Sequence, residues 1–149
     1  MPLLLLHLLA CAFMTGLIWD IQRVHYPMFM ALQKLPTPEF QRWMGFHASH
    51  ISPIVGPMML FEAASAVWLL FSPPKALPLW LTVTNLALVG VIFVATALLS
   101  IPNHHALRES GFDAQVITQL VNSNWLRTLA WSLRLGLLGG WTLVQFRQA

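Results

Sequence analysis

The chain has 149 residues, of which 57% are hydrophobic and only 9% are charged, with a formal net charge of +3. Soluble domains carry about 25% charged residues, so this composition excludes an ordinary soluble domain and favours one membrane-embedded domain over residues 1–149. The few basic residues form no stripe on a soluble surface, which speaks against nucleic acid as a partner. Cys11 is the only cysteine, so no intrachain disulfide can form.

Four apolar stretches are each long enough to cross a bilayer, which takes about 20 residues in a helix. They cover residues 3–23, 51–71, 79–101 and 126–146. Runs of this length predict helices rather than barrel strands of about ten residues with alternating polarity, so the fold class is all-α. Short connections favour antiparallel neighbours, and we therefore expect an integral membrane up-down four-helix bundle.

Two of the connections are expected to contain short amphipathic surface helices. A Thr-Pro-Glu start predicts the first of them from residue 38 to about residue 49. Pro53 is then expected to restart or kink the helix into the second span. In the connection between spans three and four, Gly111 is expected to break the chain and Asp113 to cap a second surface helix over residues 114–121.

The basic residues are distributed unequally between the two ends of the bundle. Four spans place both termini on one side and the connections 1–2 and 3–4 on the other. The basic residues at this loop face are Arg23, Lys34, Arg42, Arg108 and Arg127, against Lys75 and Arg147 at the opposite face. Cytoplasmic loops carry the excess of basic residues, so we expect a bacterial-type inner membrane location with the loop face cytoplasmic and the termini outside.

Five of the six histidines lie just outside the apolar stretches, on the loop face: His25, His47, His50, His104 and His105. Histidine is the commonest metal ligand, and three imidazoles with an open position are a common catalytic metal arrangement. The adjacent His104 and His105 diverge, so only one of them is expected to point inward. We expect a metal ion held by His25, His50 and His104, with His47 and His105 as alternates. Imidazole suits iron, copper and zinc alike.

Two other interpretations use the same histidines. A pair of them from different helices could ligate haem axially, although haem-binding bundles place such histidines well inside the helices and these are expected at the ends. Alternatively, the histidines are interfacial polar residues that cap helices and touch lipid headgroups.

Two ionisable residues are predicted inside the membrane. Glu62 lies near the centre of the second span and Arg134 near the centre of the fourth. Such groups are costly in hydrocarbon unless they are paired. One interpretation is a structural ion pair between the two helices, and another makes Glu62 a proton acceptor or metal ligand at the floor of a polar cavity. In a third, the two side chains do not meet.

The remaining polar residues of the spans are expected to be structural. Thr82, Thr84 and Asn85 in the third span are predicted to be interhelical hydrogen-bond partners. His7 is expected to be a lone, satisfied residue far from the other histidines.

The general layout of the chain resembles that of small bacterial membrane proteins of the anthrone-oxygenase-like group. The resemblance is carried by the four spans, by the Pro102-Asn103-His104 turn after span three, and by the arginines of span four within residues 124–134. It implies oxidation of polycyclic aromatic substrates without a demonstrated conventional cofactor. It also makes Asn103, His104 and Arg134 candidate site residues.

Together these patterns predict a membrane-embedded metal-binding oxidoreductase that acts on a lipophilic substrate entering from the bilayer. Glu62 would serve as proton relay, Arg134 would hold its charge or bind an anionic substrate, and Asn103 would be the third candidate catalytic residue. One alternative is a non-enzymatic membrane subunit or carrier with a structural Glu62–Arg134 pair, and a second is a haem-binding membrane protein. Membrane lipid is an expected partner, and homo-oligomerisation is compatible with the sequence.

Overall fold

The computed structural model describes residues 2–74 and 77–148, and every regular element in these ranges is helical. The elements join into four long helices: α1 (Pro2–Lys34), α2 (Thr37–Phe71), α3 (Leu79–Ser110) and α4 (Ala114–Gln148). The all-α class predicted from the sequence is confirmed. Only short connections separate the helices, and the predicted external residue Lys75 lies outside the described residues.

The helices form a closed up-down bundle. α1 packs against α2 and α4, and α3 packs against the same two helices. His7 contacts Ser65 and His25 contacts His47, so α1 and α2 run in opposite directions. A core of buried apolar side chains fills the centre, including Phe29.

Three of the four helices are long and apolar enough to cross a membrane, namely α1, α2 and α3. At 1.5 Å per residue each is about 50 Å long, against about 30 Å for the hydrocarbon core of a bilayer. This indicates a membrane protein. α4 is less apolar and is not among the three, so the fourth span expected at residues 126–146 stays a prediction.

The two predicted surface helices are not separate elements. Residues 38–49 form the first turns of α2, which continues through Pro53 and Pro57 to its end at Phe71. Residues 114–121 likewise form the first turns of α4. Each proline removes one backbone hydrogen bond, but the surrounding turns and packing against neighbouring helices can re-satisfy the freed groups. The restart expected at Pro53 does not occur, and the kink expected there as the alternative stays a prediction.

The connection between α3 and α4 follows the sequence prediction closely. Gly111 has a φ of 89°, a left-handed conformation that ends α3. The Asp113 Oδ1 atom accepts hydrogen bonds from the backbone N–H groups of Gln115 at 2.8 Å and Val116 at 3.1 Å. These bonds satisfy donors that every helix start leaves open.

Two helices contain a π-helical turn, at Ile21–His25 in α1 and at Thr96–Ser100 in α3. A π turn places an extra residue in the helix and shifts the facing of every residue beyond it, and such turns are frequent at functional sites. Both lie at the same level of the bundle, where the candidate site is found.

Candidate functional site

Three histidines from three helices come together inside the bundle: His25 of α1, His47 of α2 and His104 of α3. His25 Nε2 lies 2.7 Å from His47 Nδ1. The ring centroids of His47 and His104 are 5.2 Å apart. His47 is buried, and the other two are half-buried. The structure thus gathers three of the five histidines that the sequence predicted to converge.

The other two histidines point away from this cluster. His50 is exposed, stacks on Phe46 with ring centroids 3.9 Å apart, and places its Nδ1 atom 2.7 Å from the Phe46 carbonyl oxygen. His105 is also exposed and lies 3.1 Å from Glu109. The expected grouping that included His50 is therefore not formed, because helical rotation carries position 50 about 60° away from position 47.

The cluster lies within the helices rather than at their ends, which corrects the placement expected from the sequence. His25 precedes the end of α1 at Lys34 by nine residues, or about 13 Å of helix. The helices extend past the apolar stretches at this end, so histidines outside those stretches are still inside the bundle. Haem was disfavoured in the sequence analysis because these histidines were expected at the helix ends, and that expected placement was wrong.

Tyr26 connects the histidine cluster to a buried arginine on α4. Its hydroxyl lies 3.0 Å from His104 Nε2 and accepts a hydrogen bond from Arg127 Nη2 at 3.0 Å. Since the Tyr26 oxygen accepts from Arg127, its own proton is free to be donated to His104. Arg127 also donates to Asn124 and, at 3.5 Å, to Thr96. Tyr26 directly follows one π turn, and Thr96 is the first residue of the other.

The donor atoms do not form a ready-made metal centre. Within residues 2–74 and 77–148, no group of three or more His, Cys, Asp or Glu side chains is arranged to hold a metal ion. His25 and His47 direct nitrogens at each other, and His104 directs one at Tyr26. The predicted iron, copper or zinc ion therefore stays a prediction that requires these rings to turn.

A cavity of about 340 Å³ adjoins the cluster. Its walls are mostly apolar, whereas a polar cavity was expected, and they include Met14, Ile18, Ile51, Val55, Gly56 and Met59. Tyr26, His47, His104 and Arg127 line the cavity at one end. Exposed residues of α2 and α3 also line it, namely Ser52, Ile101, His105 and Arg108. The cavity therefore opens between α2 and α3, beside the outer surface of the bundle.

Trp131 links the cavity to the ion pair at the centre of the bundle. It lines the cavity, and its indole N–H donates to Glu62 Oε2 at 2.8 Å. The other carboxylate oxygen of Glu62 lies 2.9 Å from Arg134 Nη1, and both side chains are buried. Glu62 and Arg134 therefore form the interhelical ion pair that the sequence suggested, while neither lines the cavity itself.

His7 belongs to the same central network, which the sequence analysis missed. Its Nδ1 atom lies 2.6 Å from the Ser65 hydroxyl, and its Nε2 atom lies 3.2 Å from the Asn85 amide nitrogen. Arg134 Nε donates to the Asn85 oxygen at 2.9 Å. His7 is satisfied by hydrogen bonds as expected, but it is not a lone residue, and Asn85 is an interhelical partner as predicted. Thr82, by contrast, donates to a carbonyl of its own helix.

Asn103, the third candidate catalytic residue, lies apart from both groups. It lines a separate surface depression together with Gln119, Asn122 and Ser123 of α4. The three residues proposed as catalytic are thus distributed over two locations, with Glu62 and Arg134 at the bundle centre and Asn103 at the surface. A catalytic role for any of them stays a prediction.

In comparisons with known proteins, no family model, curated protein or solved structure matches the chain. The resemblance to the anthrone-oxygenase-like group accordingly remains a prediction from the sequence. The functional argument rests on the geometry of the cavity and its polar end.

Proposed function

We propose that this chain is a four-span membrane protein that binds a lipophilic small molecule in the cavity between its helices. The fourth span would be α4, whose polar residues Arg127 and Arg134 are buried while Leu126, Leu129 and Leu133 are exposed. An apolar outer face around a polar interior fits a helix surrounded by lipid and by its own bundle. The positive-inside pattern supports a cytoplasmic loop face.

The cavity is the observation that carries this proposal. Its volume of about 340 Å³ falls in the range of small-molecule sites, about 300–1,000 Å³, which are mostly apolar with a few convergent polar groups. The wall residues of α2 run from His47 to Met59, so the cavity extends about 18 Å along the helix. An opening between two membrane-crossing helices would admit a molecule directly from the bilayer.

The chemistry supported at the polar end is proton transfer. The Tyr26 hydroxyl and His104 Nε2 are 3.0 Å apart, and His47 and His25 are linked at 2.7 Å, so a proton can pass between neighbouring groups within hydrogen-bond reach. In the oxidoreductase that we propose, these residues would deprotonate the bound lipophilic substrate. A non-enzymatic carrier would hold the same molecule and release it unchanged.

A bound metal ion is a second candidate, favoured by the convergence of three imidazoles from three helices. His25, His47 and His104 would hold it after rotation of their rings, and iron or copper, but not zinc, would supply the electron acceptor that oxidation requires. Elemental analysis of the purified protein tests it. Stoichiometric metal lost in His47→Ala and kept in His50→Ala would support the site, and metal-free protein from metal-replete cells would reject it. A Soret band would identify haem instead.

The cavity proposal is tested by filling the cavity. Gly56 lines it, and an added Cβ would have no atom within 4 Å, so the backbone accepts a side chain there and Gly56→Leu should reduce the cavity volume. Gly90→Leu is the matched control, because Gly90 has equally open surroundings but does not line the cavity. We expect native mass spectrometry to detect a co-purifying lipophilic molecule in the wild type and in Gly90→Leu, but not in Gly56→Leu. Equal occupancy in the two variants would contradict the proposal.

A further inference from the structure

Arg127 is a buried cation with neutral neighbours. It is 5% exposed. Its hydrogen-bond partners are the Tyr26 hydroxyl, the Thr96 hydroxyl and the side-chain amide oxygen of Asn124. Among the residues that the structure describes, no Asp or Glu oxygen lies within salt-bridge distance of Arg127. Within the described part of the chain, this buried guanidinium therefore has no protein anion beside it.

The second buried arginine of α4 shows how unusual this is. Arg134, two turns further along the same helix, lies 2.9 Å from the Glu62 carboxylate. Buried charges are strongly unfavourable unless they are paired, and within a membrane bundle they mark ligand or ion sites when no protein partner exists. The described residues therefore provide a counter-charge for Arg134 and none for Arg127.

The place of Arg127 in the cavity indicates what the counter-charge is. Arg127 lines the same end of the cavity as Tyr26, His47 and His104, while the remaining walls are mostly apolar. A ligand that is complementary to both the apolar walls and Arg127 has an apolar body and one anionic oxygen at its end. Arginine is well suited to bind such an oxygen, because its planar guanidinium presents several N–H donors in a fixed geometry.

We infer that the molecule bound in the cavity is an amphiphile with an anionic oxygen headgroup, a carboxylate or an ionised phenol, held by Arg127. This inference rests on the proposed lipophilic site and names the class of ligand that the site selects. A neutral lipophile of the same shape would leave the buried charge uncompensated and should bind more weakly.

Matched probes of one chain length test the inference on the intact protein in a non-ionic detergent. Isothermal titration would compare hexadecanoate with hexadecanol, and pentachlorophenol would represent an ionised lipophilic phenol. A charge-assisted hydrogen bond is expected to favour the anion by about 10- to 100-fold. In Arg127→Gln the two hexadecyl probes should bind alike, whereas Arg127→Lys should keep part of the preference. Arg23→Gln, which removes an exposed arginine outside the cavity, should leave the preference unchanged.

The outcomes separate the inference from the proposal beneath it. Equal binding of hexadecanoate and hexadecanol to the wild type would be compatible with the lipophilic site but would overturn the inference of an anionic headgroup. This comparison does not depend on the folding of any variant. Loss of the preference in Arg108→Gln rather than in Arg127→Gln would overturn the assignment to Arg127. Absence of binding by all three probes would reject the lipophilic site itself. Preference for the phenol over hexadecanoate supports the inference and selects the phenolate form.

Discussion

Arg134 joins polar side chains from all four helices. Besides its pairing with Glu62 of α2, it donates to Asn85 of α3 and lies 3.3 Å from His7 of α1. α2 and α4 occupy opposite corners of the bundle, because each packs mainly against α1 and α3. The ion pair is therefore a direct polar link across the centre, and its loss should affect the whole bundle.

Removing one partner of the pair should be strongly destabilising. Arg134→Met leaves the Glu62 carboxylate buried without its counter-charge, which typically costs about 3–5 kcal/mol. The measurement is the free energy of unfolding of the purified protein in detergent. Arg147→Met, at an exposed position of the same helix, is the control and should change stability by no more than about 0.5 kcal/mol.

The double variant Glu62→Leu/Arg134→Met measures the coupling of the pair. Because neither charge remains, we expect its loss of stability to be smaller than the sum of the two single losses, by about 0.5–3 kcal/mol for contacting residues. Additive losses would show that the two side chains do not interact energetically, despite their proximity.

The sequence could predict the ion pair but not the full set of site residues. Glu62 and Arg134 stand out because an isolated charge is unfavourable in an apolar span. His7 and Tyr26 do not stand out, since their roles depend on the direction in which each helix face points. The π turn at Ile21–His25 shifts that direction just before Tyr26, and no periodicity in the sequence indicates the shift.

At the scale of helices, the ends of helices were predictable where a residue's own backbone conformation or capping side chain determines them. Gly111 and Asp113 mark the connection from α3 to α4 through positive φ and capping, which are properties of those residues alone. Pro53 was misleading because its effect depends on packing, and contacts with α1 and α3 keep α2 continuous. The face shared by Phe40, Met44 and His47 was predictable from their helical spacing, and all three are buried.

Gly111 holds the connection between α3 and α4 against the start of α2. Its φ of 89° disfavours any side chain, and an added Cβ would lie 2.7 Å from Thr37 Cγ2. We expect Gly111→Ala to lower the free energy of unfolding by about 1–3 kcal/mol, as measured by chemical denaturation in detergent. Gly45→Ala is the control, because Gly45 lies inside α2 with no atom near its added Cβ. It should be neutral or stabilising by up to about 1 kcal/mol, and an equal loss in both variants would argue against the strain at Gly111.

For the whole molecule, the distribution of polarity supports the proposal that α4 is a fourth membrane crossing. Among the described residues, the buried acidic and basic side chains are Glu62, Arg127 and Arg134, while large apolar side chains such as Leu9, Trp68, Val94 and Leu143 are exposed. An arrangement of this kind is stable when lipid covers the outer surface, since the exposed apolar area then requires no water contact. α4 follows the same rule as the other three helices, although its mean apolarity is lower.

Cysteine labelling distinguishes four crossings from three. Cys11 is buried and is the only cysteine, so in a Cys11→Ala background single cysteines at the exposed positions Ser72, Ser110 and Arg147 report on the ends of the helices. If α4 crosses the membrane, a membrane-impermeant maleimide added to intact cells should label positions 72 and 147, and position 110 only after lysis. This follows because α3 and α4 would each span the bilayer from the connection at residues 111–113.

Labelling of position 72 alone from outside, with position 147 protected together with position 110, would instead leave α4 on the cytoplasmic side. The cavity would then have a helix at its polar end that is not embedded in lipid, whereas the proposed entry between the candidate spans α2 and α3 would be unaffected.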